Sequence, residues 1–322
     1  MANERLARAD DEAARIYQTP GYRAPQGADA FWLTTARGVR LRVALWRCIA
    51  PRGTVIILTG RTEPLEKYFE TIAALLERRF CVLIFDWRGQ GASTRELGDP
   101  RKGHVASFTD YVDDFAAVLD EVEDDCPRPW VLLAHSMGGN VALLALHEWR
   151  NDFQAAVLSA PMIDIRLRGR RAVSAISRLV PPSLFVPNAS SQDPAQEAFE
   201  GNPLTHDRQR FARNQALVRT HPSIALGGPT WGWLHAALKA CDQCMAPGFL
   251  EAITTPTLIV SASAELIVDN TAQARAAERL ANGEYLKIAG AKHEILMETD
   301  AVRAAFWSAF DAFVDRQLSP SP

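Results

Sequence analysis

The segment Ala134-His135-Ser136-Met137-Gly138 constrains what this chain can fold into more than any other stretch. It follows the apolar run Trp130-Val131-Leu132-Leu133 and leads into Gly139-Asn140-Val141-Ala142-Leu143-Leu144-Ala145-Leu146, which reads as a helix. A serine with small residues two positions before and after it, set between a buried strand and a helix, is the pattern of a nucleophile elbow. The turn is so sharp that a larger side chain at either flank would collide with neighbouring backbone. The serine is pushed outward, and the free N–H groups of the helix start face an oxyanion there. The first small residue is Ala134 where glycine is usual. Alanine keeps the small volume but resists a positive φ.

An elbow needs parallel strands around it, and the chain supplies them. Residues 30–34 and 39–46 alternate as an antiparallel hairpin around Ala36-Arg37-Gly38. Thr54 to Thr59 is almost continuously apolar, as a strand covered on both faces should be. A helix over Leu65 to Arg79, a strand over Phe80 to Phe85, and a helix over Phe108 to Val122 follow. After the elbow come strands at Ala155–Ser159, Thr257–Val260 and Tyr285–Ile288. A helix over Thr271–Leu280 lies between the last two, and one over Val302–Val314 comes last. This β–α alternation predicts an α/β fold: a mostly parallel central sheet with helices on both faces, made mixed by its antiparallel start. Residues 161–250 break the rhythm, being rich in Arg, Pro and Trp with no good strand. They read as a helical cap inserted into a core built from residues 1–160 and 251–322.

Composition excludes several classes. With 322 residues the chain can bury a large core, and 48% hydrophobic with 23% charged residues is ordinary globular usage. A net charge of −3 gives no electrostatic footprint for nucleic acid. Met1 to Arg15 is charged and lacks the apolar region of a signal peptide, and no run approaches a membrane span. Of the five cysteines, Cys48 and Cys81 sit in apolar strand-like runs where buried, inert thiols are expected. Cys241 and Cys244 have redox or zinc spacing, but no second pair accompanies them and their surroundings are helical. A cytoplasmic protein without metal or organic cofactor is expected.

A serine at neutral pH needs a base, and the base needs an acid to fix its tautomer. After such an elbow the acid and then the histidine follow in chain order. Among seven histidines, His293 alone lies in a loop just beyond the last predicted strand, where catalytic groups gather. The acid should follow the strand ending near Val260, where Glu265 and Asp269 compete. Asp269 precedes Asn270-Thr271 and would serve as a helix cap, so Glu265 is favoured. The oxyanion donors are expected from the backbone N–H of Met137 and of Arg61, with Gly60 letting the second amide turn inward. Asp86-Trp87-Arg88-Gly89-Gln90-Gly91 lacks a nucleotide-loop pattern; it should pack beside the elbow, with Asp86 and Arg88 bonded to backbone.

These segments together resemble the lysophospholipase and monoacylglycerol lipase branch of the α/β-hydrolases, the serine aminopeptidase-like group. The matching stretches are Leu58 to Glu63 with Lys67-Tyr68, Phe85 to Ser93, Lys102 to Val105, Ala134 to Gly139 and Gly290 to Glu298. They span almost the whole chain outside 161–250. Arg61-Thr62-Glu63 is similar to bacterial lysophospholipases in particular. The resemblance implies the α/β-hydrolase fold and a triad of Ser136, Glu265 and His293, although relatives usually carry Asp where Glu265 stands and Gly where Ala134 stands. It implies a serine esterase acting on a monoacyl lipid. A short-chain carboxylesterase, a peptidase with the same triad, and a catalytically silent binding protein stay open as alternatives. Gly60, His135, Trp231 and Trp233 are expected to border the substrate, the two tryptophans as acyl-pocket walls if they face the cleft and as cap packing if not. Arg166, Arg168, Arg170, Arg171 and Arg178, followed by the apolar run 179–186, could meet a phosphate head group or rest peripherally on the inner face of a membrane. A solvated face beside the cap core is the plainer reading of the same arginines.

Overall fold

The computed structural model describes residues 14–149, 152–189 and 193–319. Residues 1–13 of the charged N-terminal stretch lie outside them. One eight-stranded sheet runs through the molecule, in the order β1-β2-β4-β3-β5-β6-β7-β8. β1 (Ala28–Thr34) and β2 (Arg40–Trp46) form the expected hairpin, and β2 also pairs antiparallel with β4 (Cys81–Phe85). From β4 onward all neighbours are parallel: β3 (Thr54–Leu58), β5 (Trp130–His135), β6 (Ala155–Ser159), β7 (Thr257–Ala262) and β8 (Gly283–Ile288). Every residue of β3 to β7 is buried, which is why these runs are apolar without alternation.

The period of two still sorts side chains between faces. In β5, Leu132 and Ala134 join one core with Phe115 and Val141, whereas Val131 and Leu133 join the other with Ile72 and Phe310. The first core lies under α2 (Phe108–Val122) and α3 (Met137–Glu148). The second lies under α1 (Phe69–Glu77) and α8 (Asp300–Leu318). α2 starts at a capping box in which Ser107 and Asp110 satisfy each other's backbone N–H groups. α7 (Asn270–Arg279) covers the β7–β8 end.

Two local expectations need correction. The helix expected from Leu65 begins as a 3₁₀ turn over Leu65–Tyr68, because the Leu65 N–H donates to Asp86 Oδ1 at 2.9 Å and the Lys67 N–H to Pro64 O at 3.0 Å. Cys48 is only half-buried beyond the end of β2; its N–H donates to Cys81 Sγ, and burial holds its thiol up at about 11.

Between β6 and β7 the chain makes α4 (Arg170–Ile176), α5 (Arg208–Thr220) and α6 (Trp231–Cys244), joined by long irregular segments. Short bridges tie these segments down. Phe185 pairs with Thr230, Pro229 with Gly103 of the core, and Ile165 with Val268. Cys241 and Cys244 lie buried on α6 as free thiols, both pushed up by burial. Among the described residues, no helix is long and apolar enough to cross a membrane, and no group of three or more His, Cys, Asp and Glu could hold a metal ion.

Candidate active site

Ser136 takes φ 50° and ψ −115°, a conformation that L-residues avoid. Backbone bonds on both sides hold it there. The Ser136 N–H donates to Ser159 O, and Ser136 O accepts from the N–H groups of Gly139, Asn140 and Met162 at 2.9 to 3.3 Å. The following small residues are sterically required. A Cβ on Gly138 would lie 2.2 Å from Leu58 O, and one on Gly139 would lie 2.6 Å from Pro161 Cβ. Ala134 suffices upstream because it stays within β5, paired between Leu58 and Leu158, and never needs a positive φ. α3 therefore starts immediately behind the serine.

His293 arrives from the loop after β8. Its Nε2 lies 2.9 Å from Ser136 Oγ and its Nδ1 lies 2.8 Å from Glu265 Oε2. The ionised carboxylate can only accept, so Nδ1 carries the proton and Nε2 is left to accept from the serine hydroxyl. Glu265 is buried, in the loop after β7. Its other oxygen accepts from the Ile267 N–H at 2.7 Å and the Val268 N–H at 3.3 Å. Burial pushes its pKa up, but His293 and these two N–H groups outweigh it and hold the carboxyl below its usual range. The competing acid, Asp269, caps α7 by accepting from Thr271 and Ala272 N–H. Antiparallel backbone bonds from Arg166 to Ile267 O and from Asp269 to Asp164 O brace this loop from the insertion.

The loop after β3 supplies the other side of the site. Among the described residues neither the Arg61 nor the Met137 N–H has a hydrogen-bond partner. Gly60 does not turn its own amide inward: its N–H donates to Glu63 Oε2 at 2.6 Å. Its missing side chain is what matters, since a Cβ would lie 2.6 Å from that oxygen and 2.9 Å from the His135 ring. Glu63 also accepts from Lys67 Nζ at 2.7 Å and Tyr68 OH at 2.6 Å, and Lys67 reaches on to Glu294 at 2.5 Å. Burial opposes ionisation of Glu63, but Lys67, His135 and Tyr68 draw its pKa down to about 2. His135 bonds Ser159 O through Nδ1, and burial pushes its pKa down. The 86–93 loop locks the arrangement. Trp87 Nε1 donates to Thr59 O, and Gln90 Oε1 accepts from the Thr62 N–H. Asp86 does bond backbone, at Leu65 and Ala92, but Arg88 pairs with the carboxylate of Asp114 rather than with backbone.

No local pattern joins the residues of this buried Glu63–Lys67–Glu294 chain, whose ends lie in segments far apart in sequence. Its separate signals are the i, i+4 spacing of Glu63 and Lys67 beside a glycine, and a second acid adjoining His293.

A cavity of about 690 Å³ opens over Ser136. Met162, Ile165, Leu167, Val186, Trp233 and Leu234 give it apolar walls, and His135 borders it. Trp233 thus faces the cleft. Trp231 and Gly60 do not line it; the Trp231 N–H is tied to Leu184 O at the start of α6. The arginine cluster divides. Arg166 donates to Glu265 O at 2.5 Å, and Arg170 pairs with Asp164 and Asp242. Arg168, Arg171 and Arg178 are exposed.

A mixed sheet of this order, with the serine behind β5, the carboxylate after β7 and the histidine after β8, defines an α/β-hydrolase. Residues 49–300 match the family model for the serine aminopeptidases, S33 (Hydrolase_4), and the chain belongs to that family of serine hydrolases. It is 38% identical over 281 residues to lysophospholipase L2 of Escherichia coli K12, covering 83% of this chain and 82% of that one. To the human monoglyceride lipase it is 30% identical over 247 residues, or 74% of each chain. A soluble variant of monoglyceride lipase from Saccharomyces cerevisiae, solved with a substrate analog, shares the fold with a TM-score of 0.72 at 17% identity, over 91% of this chain and 97% of that one.

Proposed function

We propose that this hydrolase cleaves the acyl ester of a monoacyl lipid, a lysophospholipid or monoacylglycerol, through an acyl-enzyme. Ser136 Oγ attacks the ester carbonyl while His293 Nε2 takes its proton. The Arg61 and Met137 N–H groups stabilise the oxyanion, and Glu265 holds the imidazolium that forms. His293 then returns the proton to the departing alcohol. A water, activated by the same imidazole, attacks the acyl-serine and restores the enzyme.

The observation that carries this reading is the unbroken hydrogen-bond chain Glu265–His293–Ser136 opening into a largely apolar cavity beneath the insertion. Such walls suit one acyl chain. Residues 161–250 act in this reading as the cap that selects substrate. Their exposed Ile176, Leu179 and Leu184, close in sequence to exposed Arg168, Arg171 and Arg178, suit peripheral contact with an anionic lipid surface. The similarity to lysophospholipase L2 and to monoglyceride lipase favours lipid over peptide.

The test is a substrate panel of lysophospholipids, monoacylglycerols, short p-nitrophenyl esters and aminoacyl amides, with fluorophosphonate labelling of Ser136 alongside. The long-chain lipids should give the highest kcat/KM. Preferred turnover of aminoacyl amides would replace the reading with a peptidase, and an unlabelled Ser136 with a silent binding protein.

A further inference from the structure

The arginines buried in the core have carboxylate partners. Arg42 lies between Glu66 and Asp86, and Arg88 lies on Asp114. Arg210 at the base of the insertion meets Glu70, Asp207 and Asp300. A cationic side chain taken out of water without such a partner is destabilising. Arg61 and Arg95 break the pattern, each bonded only to carbonyls, and Arg61 does so at the most telling place. Its backbone flanks the oxyanion site, and the residue lines both the cavity over Ser136 and a smaller one of about 130 Å³ that shares Thr62, Glu197, Leu204 and Glu294 with it.

Among the described residues the guanidinium makes one hydrogen bond, from Nη2 to Gly227 O at 2.6 Å. Nε is fully buried without a partner. The plane is steadied against the Trp233 ring at 5.2 Å. The cavity carboxylates Glu63, Glu197, Glu200 and Glu294 all lie beyond ion-pair distance of it. Lys67, the other cation lining the smaller cavity, is already held between Glu63 and Glu294. Burial lowers the Arg61 pKa to about 10, so the group stays charged at neutral pH and lacks only an anion. The chain even makes room for it. A Cβ on Gly103 would lie 2.6 Å from Arg61 Nη2.

We propose that the Arg61 side chain is the anchor for a phosphodiester head group, so that one residue holds the oxyanion through its amide and the phosphate through its guanidinium. The proposal rests on the monoacyl-lipid reading and sharpens it toward lysophospholipids. Arginine suits the task because its planar donors match phosphate oxygens. The phosphate of a glycerophospholipid lies only a few bonds from its ester carbonyl. A side chain rooted at the oxyanion donor therefore spans a comparable reach.

Two measurements test it. The first compares kcat/KM for lysophosphatidylethanolamine and a monoacylglycerol with the same acyl chain, in the wild type, Arg61→Gln, Arg61→Lys and Gly103→Ala. The phospholipid-to-neutral ratio should fall about 10- to 100-fold in Arg61→Gln, less in Arg61→Lys, and also in Gly103→Ala, which displaces the guanidinium while leaving residue 61 intact. An unchanged ratio in both Arg61→Gln and Gly103→Ala overturns the proposal. The second uses a soluble p-nitrophenyl ester and asks whether sn-glycerol 3-phosphate competes where glycerol does not. Its Ki should rise at least about 10-fold in Arg61→Gln. Equal competition by glycerol overturns the phosphate site, and inorganic phosphate competing as well as glycerol 3-phosphate assigns the site to a free anion instead of a head group. Should glycerol 3-phosphate compete through Arg61 while no lipid is turned over, the lipid reading falls and the anion site stands.

Discussion

The core and the 161–250 insertion use the same residue type, arginine, in different ways. In the core, Arg42 and Arg88 are buried and clamped by carboxylates that lie 24 to 44 positions away in sequence. In the insertion, Arg210 is clamped in the same way where α5 meets the core, but Arg168, Arg171 and Arg178 face solvent, and α4, which follows the first of these three, buries no residue at all. The core is thus built to hold atoms still, and the insertion to present a surface. Arg166 crosses between the two regimes. It begins in the insertion yet bonds the carbonyl of Glu265, so the insertion braces the Glu265 loop. Catalytic geometry and contact with a lipid surface should accordingly separate under mutation, with the buried network controlling kcat and the exposed arginines of the insertion controlling attachment to the surface.

The strongest break should come at the elbow. Ser136→Ala removes the covalent route and should lower ester turnover by about 10³-fold or more, with little change in melting temperature because Ala is no larger. Turnover within tenfold of wild type would mean that the elbow does not supply the nucleophile.

The acid comes next. Glu265→Gln leaves the volume intact but removes the charge that fixes the His293 tautomer, so kcat should fall roughly 10³- to 10⁴-fold. Asp269→Asn should leave kcat near wild type, because Asn caps a helix about as well as Asp. Asp269→Ala should cost about 1 kcal/mol of stability without a comparable loss of kcat. A larger kcat loss at Asp269 than at Glu265 would transfer the acid to the cap residue.

Glu63→Gln probes positioning. Its carboxylate holds the Gly60 N–H, one peptide ahead of the Arg61 amide, so the variant should lose about tenfold in kcat, within the value of a single oxyanion donor, with KM little changed. The pH dependence has a definite sign. The folded-state pKa of Glu63, about 2, is depressed below the unfolded value. Its contribution to stability is therefore full above about pH 4.5 and lost as pH falls through about 2. The stability difference between wild type and Glu63→Gln should shrink steadily on acidification over that range, as read from urea midpoints. A constant difference would mean that Glu63 is held by shape and not by charge.

How much of this could be read in advance depends on whether the cause was local. The buried strands were legible because their apolar runs are continuous, and the Ser136 turn because Gly138 must fit under Leu58 O. The order of Ser136, Glu265 and His293 was legible for the same reason: each follows the end of a recognisable strand. Which of Trp231 and Trp233 faces the cleft was not legible, because the direction of a side chain depends on contacts, such as the bond of the Trp231 N–H to Leu184 O, that no spacing encodes. The Arg88–Asp114 pair and the bond from Lys67 to Glu294, 227 positions apart, were equally hidden. Partners that distant are set by the sheet order and not by any local pattern.

The smallest effect on turnover belongs to the exposed arginines, and it separates the two regions most cleanly. Changing Arg166, Arg168, Arg170 and Arg171 together would mix surface charge with structure, since Arg166 holds the Glu265 loop and Arg170 is paired. The informative variant is Arg168→Gln, Arg171→Gln and Arg178→Gln combined. Each exposed charge contributes roughly 0.2–1 kcal/mol to contact with an anionic surface, so the triple variant should lose about 3- to 150-fold in binding to vesicles containing phosphatidylglycerol. The loss should fade as added salt shortens the screening length. Hydrolysis of a short soluble ester should be unaffected, because none of the three lines the cavity. Arg166→Gln should behave oppositely, lowering kcat on every ester through the acid loop while leaving vesicle binding nearly intact. If the triple variant instead slows the soluble ester as much as Arg166→Gln does, the insertion's surface and the core's geometry are coupled, and the division between them fails.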